Sequence, residues 1–203
     1  MATHAPIDGI VLAAGRSSRM GRPKALLEAD EGTFLGRAIR LLLGGGCRTV
    51  IAVLAAGDEA AADEALRAGG VVVRNPDPDS EPIASVRAGL QTVADAAAVL
   101  VLPVDYPLIG TRTISALIHA WRSSGAPIIL PQHEGQTGHP ILISRDLFDD
   151  VLTGDLPEGL HTLIQQHVDG VLPVRVPDAG IHADVNTPEE YARWFPGSAG
   201  PAE

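Results

Sequence analysis

Short runs of apolar residues alternate along the chain with longer segments in which apolar residues recur every three or four positions. The short runs are typical of strands buried on both faces of a parallel sheet, and the longer segments are typical of amphipathic helices. Predicted strands cover residues 9–13, 49–55, 71–74, 98–104, 127–130, 140–143 and 171–176. Predicted helices cover residues 33–43, 58–68, 85–94, 111–123, 159–167 and 187–195.

This alternation predicts an α/β fold: a single-domain, Rossmann-like, three-layer α/β/α sandwich with a mostly parallel sheet. We expect one domain over residues 1–195 and a frayed, flexible tail over residues 196–203. Ligands of such sheets bind beyond the carboxyl ends of the strands, where the strand order reverses. Polar segments that follow predicted strands are therefore the first places to look for function.

Composition narrows the classes of partner. The chain has 203 residues, 45% of them apolar, and a formal net charge of −10, which repels a nucleic-acid backbone. The longest apolar runs are too short to cross a bilayer, and no signal peptide is visible, so we expect no membrane association and a cytoplasmic protein. The single cysteine, Cys47, is expected to be a packed thiol rather than a nucleophile.

The loop after the first predicted strand carries the clearest chemistry. Its small residues Ala13, Ala14 and Gly15 allow backbone N–H groups to face an anion closely. Four cations follow within nine residues, namely Arg16, Arg19, Arg22 and Lys24. A solvated basic loop is the alternative, but small residues and clustered cations together favour a site for a triphosphate. The spacing matches neither the Walker pattern nor the three-glycine dinucleotide pattern.

Two aspartates stand in comparable places further along the chain. Asp105 comes just past an apolar strand, and Asp184 follows a turn rich in Pro, Asp and Gly. Mg²⁺ in proteins is usually held by one or two carboxylates together with substrate phosphates and waters. Two aspartates at neighbouring strand ends would share one such ion, although a turn-forming aspartate is the alternative for each taken alone.

Ser85 and His139 can each be interpreted as structural or as functional residues. Ser85 stands where a long loop enters a helix, so it either caps that helix or contacts a base or ribose, and capping is the simpler interpretation. His139 lies in a glycine-flanked turn before a strand, where it would point at a ligand, but a lone histidine is more often structural. His119, His161 and His167 lie in predicted helices without Cys or carboxylate partners at zinc-site spacing, so we expect no zinc site there.

Taken together, these segments resemble a known family. Residues 12–24 resemble the signature loop of the MobA-like NTP transferases, and in particular the nucleotidyltransferases that act on the molybdenum cofactor. The same resemblance covers nearly the whole chain in the expected order, through Asn75-Pro76-Asp77, Ser85-Val86, residues 102–107, Gly138-His139-Pro140-Ile141-Leu142 and Asp184-Val185-Asn186-Thr187-Pro188. The start Leu12-Ala13-Ala14-Gly15 is similar to the cytidylyl-transferring members, that is, to molybdenum cofactor cytidylyltransferases.

The resemblance implies an enzyme that transfers CMP from CTP to the terminal phosphate of molybdopterin and releases pyrophosphate, with Mg²⁺ as cofactor. A further partner that the resemblance implies is a molybdenum enzyme that receives the product. The implied nucleotide-binding residues are Leu12, Ala13, Ala14, Gly15, Arg16, Ser17, Lys24, Asn75 and Ser85. Implied catalytic residues are Arg19, Lys24 and Asp105, the implied metal ligands are Asp105 and Asp184, and His139 is implied to bind the acceptor.

A few positions depart from the family pattern and keep alternatives open. Glu81-Pro82 stands where relatives tend to have Gly-Leu, Ala84 replaces the first of two serines, Val104 replaces a frequent Gly, and Asn186 replaces a frequent second Asp. The alternatives are a guanylyltransferase, a transferase with another small phosphate acceptor, and an accessory or redox protein that reuses the fold.

Overall fold

The computed structural model describes residues 5–15, 20, 23–30, 32–75, 81–93 and 95–196. The strands are β1 (Ile7–Ala13), β2 (Glu28–Ala29), β3 (Gly32–Thr33), β4 (Val50–Ala55), β5 (Val71–Asn75), β6 (Ala98–Pro103), β7 (Ile128–His133), β8 (Gln136–Thr137), β9 (Ile141–Ser144) and β10 (Val171–Arg175). The α-helices are α1 (Phe34–Gly45), α2 (Glu59–Arg67), α3 (Pro82–Leu90), α4 (Thr111–Ser124), α5 (Phe148–Thr153), α6 (Leu160–Gln166) and α7 (Pro188–Trp194). Short 3₁₀ turns cover Lys24–Leu26, Arg145–Leu147, Val168–Gly170 and Ala179–His182.

The main sheet has the strand order β10-β7-β9-β6-β1-β4-β5, with β8 paired to β7. Parallel pairs join β1 to β4 and β6, β4 to β5, and β7 to β10, whereas β9 runs antiparallel to both β6 and β7. The prediction of a mostly parallel sheet is therefore confirmed. Because β1 has a later strand on each side, the chain direction across the sheet reverses there, and a ligand site is expected beyond its carboxyl end.

Apolar layers cover both faces of this sheet. One layer packs Phe34, Leu42 and Tyr191 around strand residues such as Val11. The other layer brings α3, α5 and α6 against the opposite face, where Ile10 lies. Neighbouring β1 residues thus enter different layers, as the alternation of side chains along a strand requires. The predicted three-layer α/β/α class is confirmed.

Helix α1 and helix α4 approach each other at a glycine. A Cβ atom added at Gly45 would lie 2.3 Å from Cγ2 of Ile114, which is far inside van der Waals contact. The preceding Gly44 is exposed, and a Cβ atom there would come no nearer than 3.8 Å to a side chain of α4. Only the second of these two glycines is therefore required by packing.

Most predicted elements match the structure to within a few residues, with two informative exceptions. Helix α3 begins at Pro82, earlier than predicted, because proline suits the first helical turn. Ser85 consequently lies inside the helix, and the prediction that it caps the helix is wrong. Helix α5, only six residues long, and the β2–β3 hairpin were not predicted, since elements this short carry little periodicity.

Three further predictions concern the cysteine, membrane-spanning helices and the C-terminal tail. Cys47 is buried, and burial together with the nearby Asp8 carboxylate raises the pKa of its thiol to about 12, as expected for an inert cysteine. Among the described residues, no helix is long and apolar enough to cross a membrane. The predicted tail falls mostly outside the described residues, so its flexibility stays a prediction.

Candidate functional site

A cleft of about 460 Å³ opens beyond the carboxyl ends of β1, β4, β5 and β6. The reversal of strand order at β1 places it there. Its walls include every described residue that the sequence predicted for the site, namely Leu12, Ala13, Ala14, Gly15, Lys24, Asn75, Ser85, Asp105, His139 and Asp184. The predicted candidates that the structure describes are therefore gathered in one place.

The loop after β1 forms one wall of this cleft. Leu12 is held by its carbonyl, which accepts a hydrogen bond from the backbone N–H of Val104 at 3.0 Å. Ala13 and Ala14 are buried, whereas a Cβ atom at Gly15 would meet no atom of the described residues within 4 Å, so this point faces the open part of the cleft. Arg16, Ser17, Arg19 and Arg22 lie outside the described residues, and their proposed contacts remain predictions.

A continuous chain of hydrogen bonds links four polar side chains of the cleft. Lys24 Nζ lies 3.0 Å from Oδ2 of Asp105 and also donates to Oδ1 of Asn186. Nδ2 of Asn186 in turn donates to Oδ2 of Asp184. One cation and two carboxylates from three distant parts of the sequence therefore form a single array.

The route by which Asp184 reaches Asp105 differs from the one predicted. The two aspartates do not follow neighbouring strands, since Asp184 lies well past β10, an edge strand separated from β6 by β7 and β9. The segment after β10 crosses the sheet edge instead. Its backbone pairs successively with Gln132 at the end of β7, with His139 before β9, and with the carbonyl of Asp105, which accepts from Val185 N–H at 2.8 Å.

The start of α7 fixes the end of this crossing segment. Thr187 caps the helix in a reciprocal capping box with Glu190. Oε2 of Glu190 also accepts from the backbone N–H of Asn186 at 2.7 Å. The backbone that carries Asn186 is thereby held independently of what its side chain contacts.

The array contains oxygen ligands of the kind that bind a hard divalent cation. Asp105 and Asp184 offer carboxylate oxygens, and Oδ1 of Asp105 is buried without a hydrogen-bond partner in the described part of the chain. No group of three or more His, Cys, Asp or Glu among those residues is arranged to hold a metal ion. Two carboxylates fit Mg²⁺ or Mn²⁺ when phosphates and waters complete the coordination.

Asn75 and Ser85 lie in the same cleft. Nδ2 of Asn75, at the end of β5, donates to Oγ of Ser85 in the first turns of α3 at 3.0 Å, and both residues are buried. This contact ties the strand end to the helix. It also explains why Ser85 is polar although it does not cap the helix.

His139 and Tyr106 separate this cleft from a second cavity. Their ring centroids are 4.6 Å apart, and both residues line both spaces. Burial lowers the pKa of His139, although the nearby Asp105 and Asp184 act in the opposite direction, and burial raises the pKa of Tyr106 to about 12. The wall between the two spaces is therefore uncharged near neutral pH.

The second cavity, of about 770 Å³, was not predicted from the sequence. Its apolar side chains come from α3, β6, β7, β9 and α6, and include Val86, Val101 and Ile141. Its polar groups include Glu81 and Glu158. Only the glycine-flanked turn before His139 indicates it in the sequence, because the other lining residues have the ordinary apolar spacing of their elements.

A family model described as the MobA-like NTP transferase domain matches residues 9–171. The molybdenum cofactor cytidylyltransferase of Escherichia coli K12 is 29% identical over 187 residues, which cover 91% of this chain and 93% of that protein. A probable molybdenum cofactor guanylyltransferase of Rhodopirellula baltica is 37% identical over 131 residues, covering 63% of this chain and 61% of the relative. The nicotine blue oxidoreductase of Paenarthrobacter nicotinovorans is 30% identical over 201 residues, covering 92% and 95%.

Two solved structures superpose on most of this chain. The crystal structure of Rv0371c from Mycobacterium tuberculosis H37Rv superposes with a TM-score of 0.80 at 29% identity, covering 95% of this chain and 98% of that one. Its complex with manganese superposes with a TM-score of 0.77 at 27% identity, covering 95% and 99%.

Proposed function

Because the chain belongs to the MobA-like NTP transferase domain family, we propose that it transfers CMP from CTP to the terminal phosphate of molybdopterin. Pyrophosphate is the second product. The observation that carries the proposal is the hydrogen-bonded array of Lys24, Asp105, Asn186 and Asp184, which lies in one cleft with the backbone after β1. The array supplies one cation and two carboxylates, the groups that position a metal-bound triphosphate.

In this proposal the nucleotide lies along the loop after β1. The backbone from Leu12 to Gly15 contacts the base and phosphates, and the open space at Gly15 allows a phosphate to approach closely. Asn75 and Ser85 contact the nucleotide from the opposite wall. Arg16, Ser17 and Arg19 are assigned to the phosphates from the sequence alone.

Asp105 and Asp184 hold a divalent cation, which we take to be Mg²⁺, and the manganese complex of the structural relative supports an ion of this charge. When bound, the ion neutralises phosphate charge as it develops during transfer. Lys24 adds a further positive charge at the same carboxylate. The remaining task of the protein is to orient two phosphates, because the acceptor phosphate is itself the nucleophile.

The acceptor enters from the second cavity. His139 and Tyr106 stand between that cavity and the nucleotide cleft, so the acceptor phosphate must pass them to reach the triphosphate. An uncharged wall at this point does not repel the incoming phosphate. The preference for CTP rests on the sequence Leu12-Ala13-Ala14-Gly15, since named relatives include both cytidylyl- and guanylyltransferases.

The test is a panel of CTP, GTP, ATP and UTP with Mg²⁺, with and without molybdopterin, followed by pyrophosphate release. We expect release that requires molybdopterin and is fastest with CTP. Equal or faster release with GTP would move the assignment to a guanylyltransferase. Absence of release with every nucleotide would refute the transferase proposal.

A redox function in the same fold is the second candidate. The relative named nicotine blue oxidoreductase favours it, as do the departures at Glu81, Ala84 and Asn186. The large apolar cavity beside His139 would suit a flat organic substrate. A purified protein that absorbs as a flavin, or that binds nicotinamide nucleotides and fails to release pyrophosphate, would support this candidate over transfer.

A further inference from the structure

The side chain of Asn186 stands between two groups with opposite hydrogen-bonding needs. The Lys24 ammonium only donates, and the ionised Asp184 carboxylate only accepts. The amide meets both needs, because its oxygen accepts from Lys24 while its nitrogen donates to Asp184. An aspartate at this position could bind Lys24 but could not donate to Asp184.

The amide also sets the charge of the array. Asp105 and Asp184 contribute two negative charges and Lys24 one positive charge, so these linked groups carry a net charge of −1. An aspartate at position 186 would change this sum to −2 and would place a third carboxylate against Asp184. The capping contacts of α7 hold the backbone in either case.

We propose that Asn186 is a positioning residue that makes uptake of the divalent cation depend on the nucleoside triphosphate. This inference rests on the proposed function. Without nucleotide, the Lys24 ammonium already occupies Oδ2 of Asp105, and only two carboxylates are available to a metal ion. A bound triphosphate supplies further oxygen ligands for the metal and an alternative partner for Lys24. The site then takes up the metal and the nucleotide together.

The test measures Mn²⁺ binding by electron paramagnetic resonance, in which the signal of free aqueous Mn²⁺ disappears on binding. Wild-type protein, Asn186→Asp and Asn186→Ala are titrated with and without a non-hydrolysable CTP analogue. Gln91→Glu, an exposed position at the end of α3, is the matched control for added negative charge. Circular dichroism melting of each variant verifies that it is folded.

We expect wild-type protein to bind Mn²⁺ weakly alone and strongly with the analogue. Asn186→Asp should bind Mn²⁺ without nucleotide at least about tenfold more tightly than wild type, because a third carboxylate joins the site. Damage to the fold cannot produce such a gain. Asn186→Ala should lower the ratio of Mn²⁺ affinities with and without analogue by about fivefold or more, since Lys24 and Asp184 lose their common partner.

The results distinguish failure of the role of Asn186 from failure of the proposed nucleotidyl transfer. Unchanged nucleotide-free Mn²⁺ affinity in Asn186→Asp, or an unchanged affinity ratio in Asn186→Ala, would overturn the role of Asn186 while leaving nucleotidyl transfer intact. Tight Mn²⁺ binding by the wild type without nucleotide would do the same. If the wild type took up no Mn²⁺ with either CTP or GTP analogues, the proposed function itself would fail, and this inference with it.

Discussion

Replacing Lys24 by alanine tests the proposed nucleotide cleft most severely. Lys24 is the only lysine of the sequence, its side chain is 14% exposed, and it contacts both Asp105 and Asn186. A single charged or hydrogen-bonding group directed at developing charge is worth about 10²–10³ in kcat, or about 2.7–4 kcal/mol. We expect Lys24→Ala to lose activity in this range.

The same change should affect stability much less. Among the described residues, it removes the two hydrogen bonds to Asp105 and Asn186 at a partly exposed position and leaves Oδ2 of Asp105 without its lysine. Losing such contacts costs about 1–3 kcal/mol of the free energy of unfolding. The folded protein should therefore persist at assay temperature.

Steady-state pyrophosphate release, with kcat and KM determined separately for CTP, measures the effect. Lys24→Arg, which keeps the charge in a different shape, should recover part of the lost activity. Arg193→Ala removes a cation from the exposed side of α7 and should leave kcat unchanged. If Lys24→Ala retained kcat within about threefold of wild type while folded, the assigned role of Lys24 would be refuted.

Three further predictions concern the scaffold. Thr187→Ala breaks the capping box with Glu190 and should lower the free energy of unfolding by about 1 kcal/mol, measured by urea denaturation. Gly45→Ala should lower the free energy of unfolding by about 1–3 kcal/mol, because the added Cβ atom would collide with α4. Gly44 is exposed in the same helix, and Gly44→Ala should raise the free energy of unfolding by about 0.5–1 kcal/mol. The Cys47 thiol, with a pKa of about 12, should react with a thiol reagent at pH 8 at least about a hundredfold more slowly than in the urea-unfolded chain.

Each of these three has a decisive contrary result. Thr187→Ser keeps the capping hydroxyl and should retain wild-type stability, so an equal loss in both variants would argue against the cap as the cause. Equal effects of alanine at both glycines would contradict the close approach of α1 and α4. Reaction of Cys47 at the same rate in folded and unfolded protein would contradict its burial.

Part of the fold and of the candidate site could be predicted from local sequence. Buried strands such as β4 and β6 are short apolar runs, and their alternation with amphipathic helices determines the layer order. The rule that ligands bind beyond strand ends leads to the backbone from Leu12 to Gly15 and to Asp105, which line the cleft. The family resemblance is confirmed by the match over residues 9–171.

The rest depended on contacts between distant residues. Asp184 reaches Asp105 through a segment that pairs with three successive strand ends, and no local pattern specifies that path. The bridging role of Asn186 requires the position of Lys24, which is 162 residues away in sequence. The prediction for Ser85 failed for a local reason instead, because Pro82, three residues earlier, starts the helix.

The most direct test of the central claim follows isotopic label from CTP into molybdopterin. CTP labelled at the α-phosphate and CTP labelled at the γ-phosphate are incubated separately with the protein, Mg²⁺ and molybdopterin, and the pterin product is isolated. Nucleotidyl transfer predicts that the α-label enters the pterin product and the γ-label is found in pyrophosphate. Recovery of the γ-label in the pterin, or of neither label, would contradict nucleotidyl transfer by this protein.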